Sequence, residues 1–136
     1  MKSSKKGIVL AIIIFLILLF SLGATITFVE QRTSFFGRAF TPENSYLFAS
    51  PLSTQAGGKE KIRVTVFLLD SQGKGVYGQP VFLGQDERLE ITPVQAVTDE
   101  LGRAIFDVLA KVPAEYLLEA KVNNQILPQR VKLNFR

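Results

Sequence analysis

Residues 62 to 83 read IRVTVFLLDSQGKGVYGQPVFL, and this stretch decides the fold class. From Ile62 to Leu68 every second residue is apolar, and the residues between them are polar except for Phe67. A period of two is typical of a β-strand that has one buried face and one solvated face. The polar segment Asp70 to Gly75 then contains two glycines, which can take the positive φ angles of a turn. The stretch therefore predicts a strand, a turn and the start of another strand.

Alternating segments recur along the rest of the C-terminal part, with turn residues between them. Asp99 to Gly102 supplies a polar turn with a glycine, and Asn123-Asn124 supplies a two-residue hairpin turn, because Asn tolerates the left-handed region. No amphipathic helix interrupts the series, so we predict an all-β, immunoglobulin-like β-sandwich of about seven strands. The predicted strands lie near residues 45–50, 60–69, 79–84, 89–97, 103–109, 115–122 and 126–135.

Three segments resemble bacterial Ig-like domains of group 1, the family that builds invasin- and intimin-type surface proteins. Residues 62 to 83 are similar to that family's second and third strands. The segment from Thr98 to Ala104, TDELGRA, fits its signature of threonine, aspartate, two variable residues, glycine, a basic residue and alanine. Residues 115 to 120 resemble its penultimate strand, with Tyr116 at the aromatic position. The resemblance implies a single Ig-like domain over residues 45–136, although this fold hosts many functions.

The run from Ile8 to Val29 contains no charge, and 18 of its 22 residues are apolar. A helix of this length measures about 33 Å, which is enough to cross a hydrocarbon core of ~30 Å. Lys2, Lys5 and Lys6 precede the run, so residues 1–7 are predicted to be cytoplasmic and the C-terminal domain extracytoplasmic. We therefore expect a cell-membrane protein in which one transmembrane α-helix, in contact with lipid over residues 8–29, precedes the β-sandwich.

Two other fates of the N-terminal segment stay open. Cleavage of a signal peptide between Ala24 and Thr25 would release a secreted Ig-like domain, although the length of the apolar run favours retention. The sequence Lys5-Lys6-Gly7-Ile8 also resembles the processing signal of type IV pilin-like proteins, which are cut after the glycine. Ile12 stands where most such pilins have glutamate, which argues against a pilin-like filament subunit.

Residues 30–44 form the predicted juxtamembrane linker. Phe35, Phe36 and Phe40 lie within it, close to the outer edge of the predicted span. Aromatic rings are often found at the membrane interface, so these residues are expected either to form an interfacial collar or to contact a partner.

The composition excludes several kinds of site. Neither His nor Cys occurs, which excludes disulfides, thiolate or imidazole metal sites and His-based catalysis. Asp86, Glu87 and Glu90 form the densest acidic group, but they lack the fixed ligand offsets of a calcium loop. Of the 16 positive charges, 13 lie in residues 30 to 136 beside all 12 negative charges, so no basic face for nucleic acid is expected. We predict no enzyme, no catalytic or metal site, no cofactor and no small-molecule substrate.

Outward apolar residues are the remaining candidates for function. Phe67 points away from the apolar face of its strand, and Leu117 does the same on a later strand. Such residues are either covered by a neighbouring segment or exposed as a docking patch. The candidate partner-contact residues are Phe67, Leu117, Phe35 and Phe36. The predicted function is a non-enzymatic single-pass membrane protein that displays one Ig-like domain, with other envelope proteins as partners. A third possible function is that of an enzyme or ligand-binding module, in which the loops 84–90 or 99–103 would bind the ligand.

Overall fold

The computed structural model describes the backbone of residues 3–33, 39–84 and 86–136, and the side chains of residues 5–21, 39–84 and 86–136. The chain divides into two compact units, Met1–Gly37 and Arg38–Arg136.

The N-terminal unit contains one long helix, α1, from Ser3 to Thr33. Its sequence has no proline and is rich in Leu, Ile and Phe, so no residue interrupts the backbone hydrogen-bond ladder. The large apolar side chains from Ile8 to Phe20 are between 48% and 83% exposed. Within the described residues, no helix is both long enough and apolar enough to cross a membrane. The predicted span covers residues 8–29, and the side chains of residues 22 to 29 lie outside the described residues.

The C-terminal unit is a two-sheet β-sandwich. After a short 3₁₀ helix, Pro42–Asn44, the described residues form eight strands. They are β1 Tyr46–Ser50, β2 Ser53–Thr54, β3 Ile62–Phe67, β4 Phe82–Leu83, β5 Leu89–Gln95, β6 Arg103–Ala110, β7 Ala114–Val122 and β8 Gln125–Phe135. The first sheet has the order β1-β3-β6-β5 and the second has the order β2-β8-β7-β4. All pairs are antiparallel except β2 with β8.

The N-terminal edge of the sandwich passes from one sheet to the other. Strand β1 pairs with β3 in the first sheet, and β2 pairs with the end of β8 in the second. The Ser50-Pro51 peptide bond between them is cis. The prediction of seven strands omitted β2, because two residues carry no alternating pattern. The strand predicted over residues 79–84 is reduced to Phe82–Leu83 plus an isolated bridge between Pro80 and Val97, since Pro80 has no N–H to donate to a ladder.

The core lies between the sheets and is formed by alternate residues of the long strands. In β6, for example, Ala104, Phe106, Val108 and Ala110 are buried while the residues between them are partly exposed. The largest fully buried side chains include Phe135, Ile62, Leu68, Leu127, Leu133, Val64 and Val66. Each such aliphatic side chain contributes about 1.5–3 kcal/mol on burial. The predicted alternation is therefore confirmed in β6 and β7, whereas Thr65 of β3 is buried and β5 does not alternate.

Local turn chemistry fixes the ends of the strands. Asn123 and Asn124 have φ angles of 47° and 67°, as expected for the predicted two-residue hairpin turn between β7 and β8. A carboxylate oxygen of Asp99 accepts hydrogen bonds from the N–H groups of Leu101 and Arg103, both at 2.9 Å. The hydroxyl of Tyr116 donates to the carbonyl of Val112 at 2.7 Å, which ties the start of β7 to the preceding loop.

Candidate interaction surface

Three aromatic rings lie together on the outer face of the first sheet. Tyr46 and Phe48 come from β1 and Phe67 comes from the end of β3, and we call them the aromatic cluster. Tyr46 and Phe67 are opposite each other in the strand register, and their ring centroids are 5.0 Å apart. The rings of Phe48 and Phe67 are 6.0 Å apart, and in both pairs the ring planes differ by 18°. Phe67 therefore stacks with both rings of β1.

The alternation of β1 explains why two of these rings face outward. Leu47 and Ala49 are buried in the core, so Tyr46, Phe48 and Ser50 point away from it. Tyr46 and Phe48 are 40% and 46% exposed.

Phe67 is less exposed than an isolated outward side chain would be. Its direction away from the core follows the sequence pattern, but the rings of β1 cover it and leave it half-buried. The rings of β1 are thus the neighbouring segment that lies over Phe67. Sequence reasoning missed Tyr46 and Phe48, which the period of two in residues 46–50 could have placed on the same face.

Paired charges border the aromatic cluster on β3 and β6. The guanidinium of Arg63 donates to both carboxylate oxygens of Asp107, at 2.9 and 3.2 Å. This hydrogen bond is the main reason why the pKa of Asp107 is lowered from its ordinary value. Arg103 forms a further ion pair with Asp99 at 2.9 Å. Thr65 of β3 lies between these two ion pairs. It is opposite Phe48 of β1 on one side and Ile105 of β6 on the other, and it is buried. The border of the aromatic cluster on β3 and β6 is therefore polar, and each of these arginines is paired with an aspartate.

Leu117 lies on the other side of the sandwich. It is 58% exposed on β7 and is opposite Lys132 of β8. Its neighbours Glu115 and Glu119 pair with Lys132 and Arg130 at 3.2 and 3.3 Å. The structure thus places Leu117 and Phe67 on the outer faces of different sheets, and the two cannot belong to one patch.

The remaining candidate residues fall elsewhere. Phe35 and Phe36 lie outside the described residues. Phe40, from the same predicted linker, packs partly buried against the core. Phe82, which sequence reasoning did not single out, is 63% exposed at the β4 edge of the second sheet. Its partner in the register is Lys121, so it stands apart from Leu117 on the same sheet.

The acidic group at residues 86 to 90 is involved in local contacts. Asp86 accepts hydrogen bonds from the backbone and the guanidinium of Arg88 at 2.6 to 3.0 Å. The side-chain hydrogen bond is the largest cause that lowers the pKa of Asp86 to about 2. The guanidinium of Arg88 also lies 5.0 Å from the ring centre of Tyr116. In the part of the chain that the structure describes, no group of three acidic residues is arranged to hold a metal ion.

A groove runs along the open side of the sandwich between β1 and β8. Its volume is about 600 Å³, and it is amphipathic. It is lined by Leu47 and Ala49 of β1, by Val131 and Lys132 of β8, and by Leu52 from the exposed segment that joins β1 to β2. Because β1 is an edge strand of its sheet, the groove borders an unpaired strand edge.

Comparison with solved structures supports the sandwich assignment. Invasin, described as a bacterial integrin-binding protein, is 20% identical with a TM-score of 0.63, over 72% of this chain and 20% of its own. The Yersinia pseudotuberculosis adhesin InvE is 22% identical with a TM-score of 0.59, over 71% of this chain and 27% of its own. The D00-D0 domain of intimin is 20% identical with a TM-score of 0.52, over 66% and 43%. At this identity the likeness concerns the fold, and the chain spans less than half the length of each structure.

Among curated proteins, none matches this sequence. A family profile does match it, and the match covers residues 44–136, which include every strand of the sandwich and the TDELGRA signature. The chain therefore belongs to the bacterial Ig-like domain (group 1) family.

Proposed function

We propose that this chain is a non-enzymatic, single-pass membrane protein that displays one Ig-like domain at the outer face of the cell membrane. Its role would be to bind other envelope or surface proteins, as a subunit of a larger assembly. The observation that carries the proposal is the combination of the uncharged sequence of residues 8–29 with a sandwich whose outer face carries an exposed aromatic cluster.

The anchor is supported by the sequence of residues 8–29 and by the exposed apolar side chains of α1. Exposure of 48% or more along the whole run from Ile8 to Phe20 leaves a large apolar surface that water solvates poorly. Lipid would cover this surface, and Lys5 and Lys6 at its start would remain on the cytoplasmic side. The domain after it would then be extracytoplasmic.

The interaction role is supported by the aromatic cluster. Exposed Tyr and Phe side chains that are bordered on one side by paired charges resemble the centre and rim of a protein interface. Two related structures are named as an integrin-binding protein and an adhesin, which agrees with binding of a protein. We assign the contact to Tyr46, Phe48 and Phe67, whereas Leu117 would serve a separate contact. Phe35 and Phe36 remain proposed contacts in the linker.

One experiment separates this proposal from its alternatives. The full chain is expressed in a bacterial host, membranes are washed at alkaline pH, and the first residue of the mature protein is identified by mass spectrometry. We expect an intact N-terminal segment in the washed membrane fraction. A chain that starts at Ile8 would instead support a pilin-like subunit, and a soluble chain that starts at Thr25 would support a secreted domain. A deletion of residues 8–29 is the matched control, since it should leave the domain in the soluble fraction.

A further inference from the structure

The edge strands of the sandwich differ in how well they are protected from pairing. Strand β5 carries Pro93 and a register shift, and both features disfavour a new partner strand. The part of β8 that β2 leaves uncovered contains Pro128, Arg130 and Lys132. Strands β2 and β4 have only two residues each. These are ordinary devices that prevent edge-to-edge association.

Strand β1 has none of these devices. Its five residues, YLFAS, include no charge and no proline, and all five pair with β3 in one unbroken register. It is an edge strand of its sheet, and its outward side chains at Tyr46 and Phe48 are large and exposed. An apolar, regular edge of this kind is a template for a further strand.

We propose that β1 pairs with β1 of a second copy of this chain, in antiparallel orientation about a two-fold axis at Phe48. The pairing would join the two first sheets into one continuous sheet of eight strands, with the same surface contributed by each copy. This proposal rests on the proposed interaction role of the aromatic cluster, and it identifies a second copy of the chain as the partner.

The sequence of β1 is complementary to itself in this register. Around a two-fold axis at Phe48, Tyr46 stands opposite Ser50 and Leu47 stands opposite Ala49. Each large side chain therefore meets a small one on the same face, and Phe48 meets its own copy as an aromatic cross-strand pair. Within the strand itself no like charges are brought together, because it contains none.

The surroundings of β1 agree with this occupant. The groove beside the edge is lined by Leu47 and Ala49 on the β1 side and by Arg130, Val131 and Lys132 on the β8 side, so an added strand would cover apolar side chains next to two positive charges. On the outer face, the aromatic clusters of the two copies would become continuous across the axis. The rings stack on one another with their planes only 18° apart, so their flat faces are partly occupied within the cluster.

The absence of cysteine from the chain allows a direct test by disulfide formation. Residues directly opposite in an antiparallel pair have Cα atoms about 4.5–5.5 Å apart, within the range of a disulfide. In purified full-length protein in detergent, Phe48→Cys should form a covalent dimer on mild oxidation, whereas Leu117→Cys on the other sheet should remain monomeric. Equal cross-linking of the two variants would overturn the proposal, because it would show only random proximity in the micelle.

A second cross-linking experiment tests the register of the proposed strand pair. Tyr46→Cys and Ser50→Cys should each form little dimer alone, because each is about 13 Å along the strands from its own copy. An equal mixture of the two should form the cross-linked heterodimer. A mixture that behaves as either variant alone would overturn the pairing in this register.

A charge on the axis tests the association without any covalent bond. Phe48→Lys places two positive charges opposite each other and should raise the dimer dissociation constant at least about tenfold, which corresponds to about 1.4 kcal/mol. Leu117→Lys is the control and should leave it unchanged, and circular dichroism checks that both variants are folded. A wild-type chain that is monomeric at all concentrations would overturn the pairing with a second copy. The expected differences arise at residues 46–50, with Leu117 as the control, so they do not depend on whether the N-terminal segment is retained.

Discussion

The backbones of Gly75 and Gly102 are in close contact where the turn after β3 meets the turn before β6. A Cβ atom on Gly102 would lie 2.9 Å from the Cα of Gly75 and would collide with the carbonyl oxygen of Leu68. The N–H of Leu68 donates to the carbonyl of Gly102 at 2.8 Å, and the N–H of Val76 donates to the carbonyl of Leu68 at 2.9 Å. Three chain segments therefore converge here with no room for a side chain. This geometry gives the physical reason for the glycine in the TDELGRA signature.

Gly102→Ala is expected to be severely destabilising. Its φ angle of +74° disfavours any side chain, and the added methyl would overlap backbone atoms that cannot move independently. Left-handed strain and overpacking together predict a loss of about 3–5 kcal/mol in the free energy of unfolding. Gly73→Ala is the matched control, because Gly73 has a φ of +76° but open space around it. Its loss should be about 1–2 kcal/mol in urea titration, and equal losses would refute the role of crowding.

The buried side chain of Thr98 is hydrogen-bonded to the backbone of residues 76–79, and we expect its hydroxyl to contribute strongly to stability. The hydroxyl donates to the carbonyl of Val76 at 2.6 Å and accepts from the N–H of Gln79 at 2.9 Å. Thr98→Val keeps the shape but leaves both backbone groups without this partner, so it should cost about 2–4 kcal/mol. Thr98→Ser keeps the hydroxyl and should cost only about 1 kcal/mol, for one buried carbon. Thermal unfolding of both variants measures the difference, and a Ser variant as unstable as Val would contradict the assignment.

The sequence predicted the positions of the long strands because each has one buried and one solvated face. Asn123-Asn124 was predictable for a different reason, since its turn depends on local backbone preference alone. Strand β2 was not predictable, because its two residues are defined only by pairing with Asn134 and Phe135, about 80 residues further along the chain.

The candidate surface was predictable only in part. The alternation in β3 shows that Phe67 points outward, and this direction is a local property. That Tyr46 stacks with it depends on the register between β1 and β3, which brings together residues 21 positions apart. The separation of Phe67 from Leu117 likewise depends on which sheet each strand joins. Local periodicity therefore predicts the face of a strand but not the neighbours of a side chain on that face.

The stability of the domain should fall at acid pH and stay nearly constant between pH 5 and 8. The pKa of Asp107 is lowered by its hydrogen bond with Arg63. Burial acts to raise the pKa of Asp99, but hydrogen bonds from Arg103 and Leu101 outweigh it and the pKa is lowered. A folded-state pKa below the unfolded value of about 3.9 means that the stabilisation is complete above that pH and is lost as pH falls through the folded value.

The measurement is the unfolding midpoint of the chain from pH 2 to pH 8. Asp86, whose pKa is about 2, should still be losing its contribution at the acid end. No histidine is present to titrate in the neutral range. Asp107→Asn should be less sensitive to acid than the wild type, because one of the shifted groups is gone. A midpoint that rises as the pH is lowered from 4 to 2 would contradict the sign of these shifts.

Phe67 and Leu117, the two candidate contacts on opposite sheets, should respond differently to truncation. Phe67 is half-buried between the rings of Tyr46 and Phe48, so Phe67→Ala removes two aromatic contacts as well as buried area. We expect it to lower the free energy of unfolding by about 1–2 kcal/mol. Leu117 is 58% exposed, and Leu117→Ala should change stability by no more than about 0.5 kcal/mol.

Urea titration of the two alanine variants, with Tyr46→Ala beside them, separates structural from surface roles. Tyr46→Ala should fall between them, because its ring is 40% exposed yet stacks on Phe67 at 5.0 Å. If Phe67→Ala were as stable as Leu117→Ala, the stacking would contribute nothing and the aromatic cluster would be three independent exposed rings. If the order is Phe67, Tyr46 and then Leu117, the cluster is a preformed surface. A preformed surface has little side-chain entropy left to lose on binding, so its rings are the ones that favour association with a partner strand.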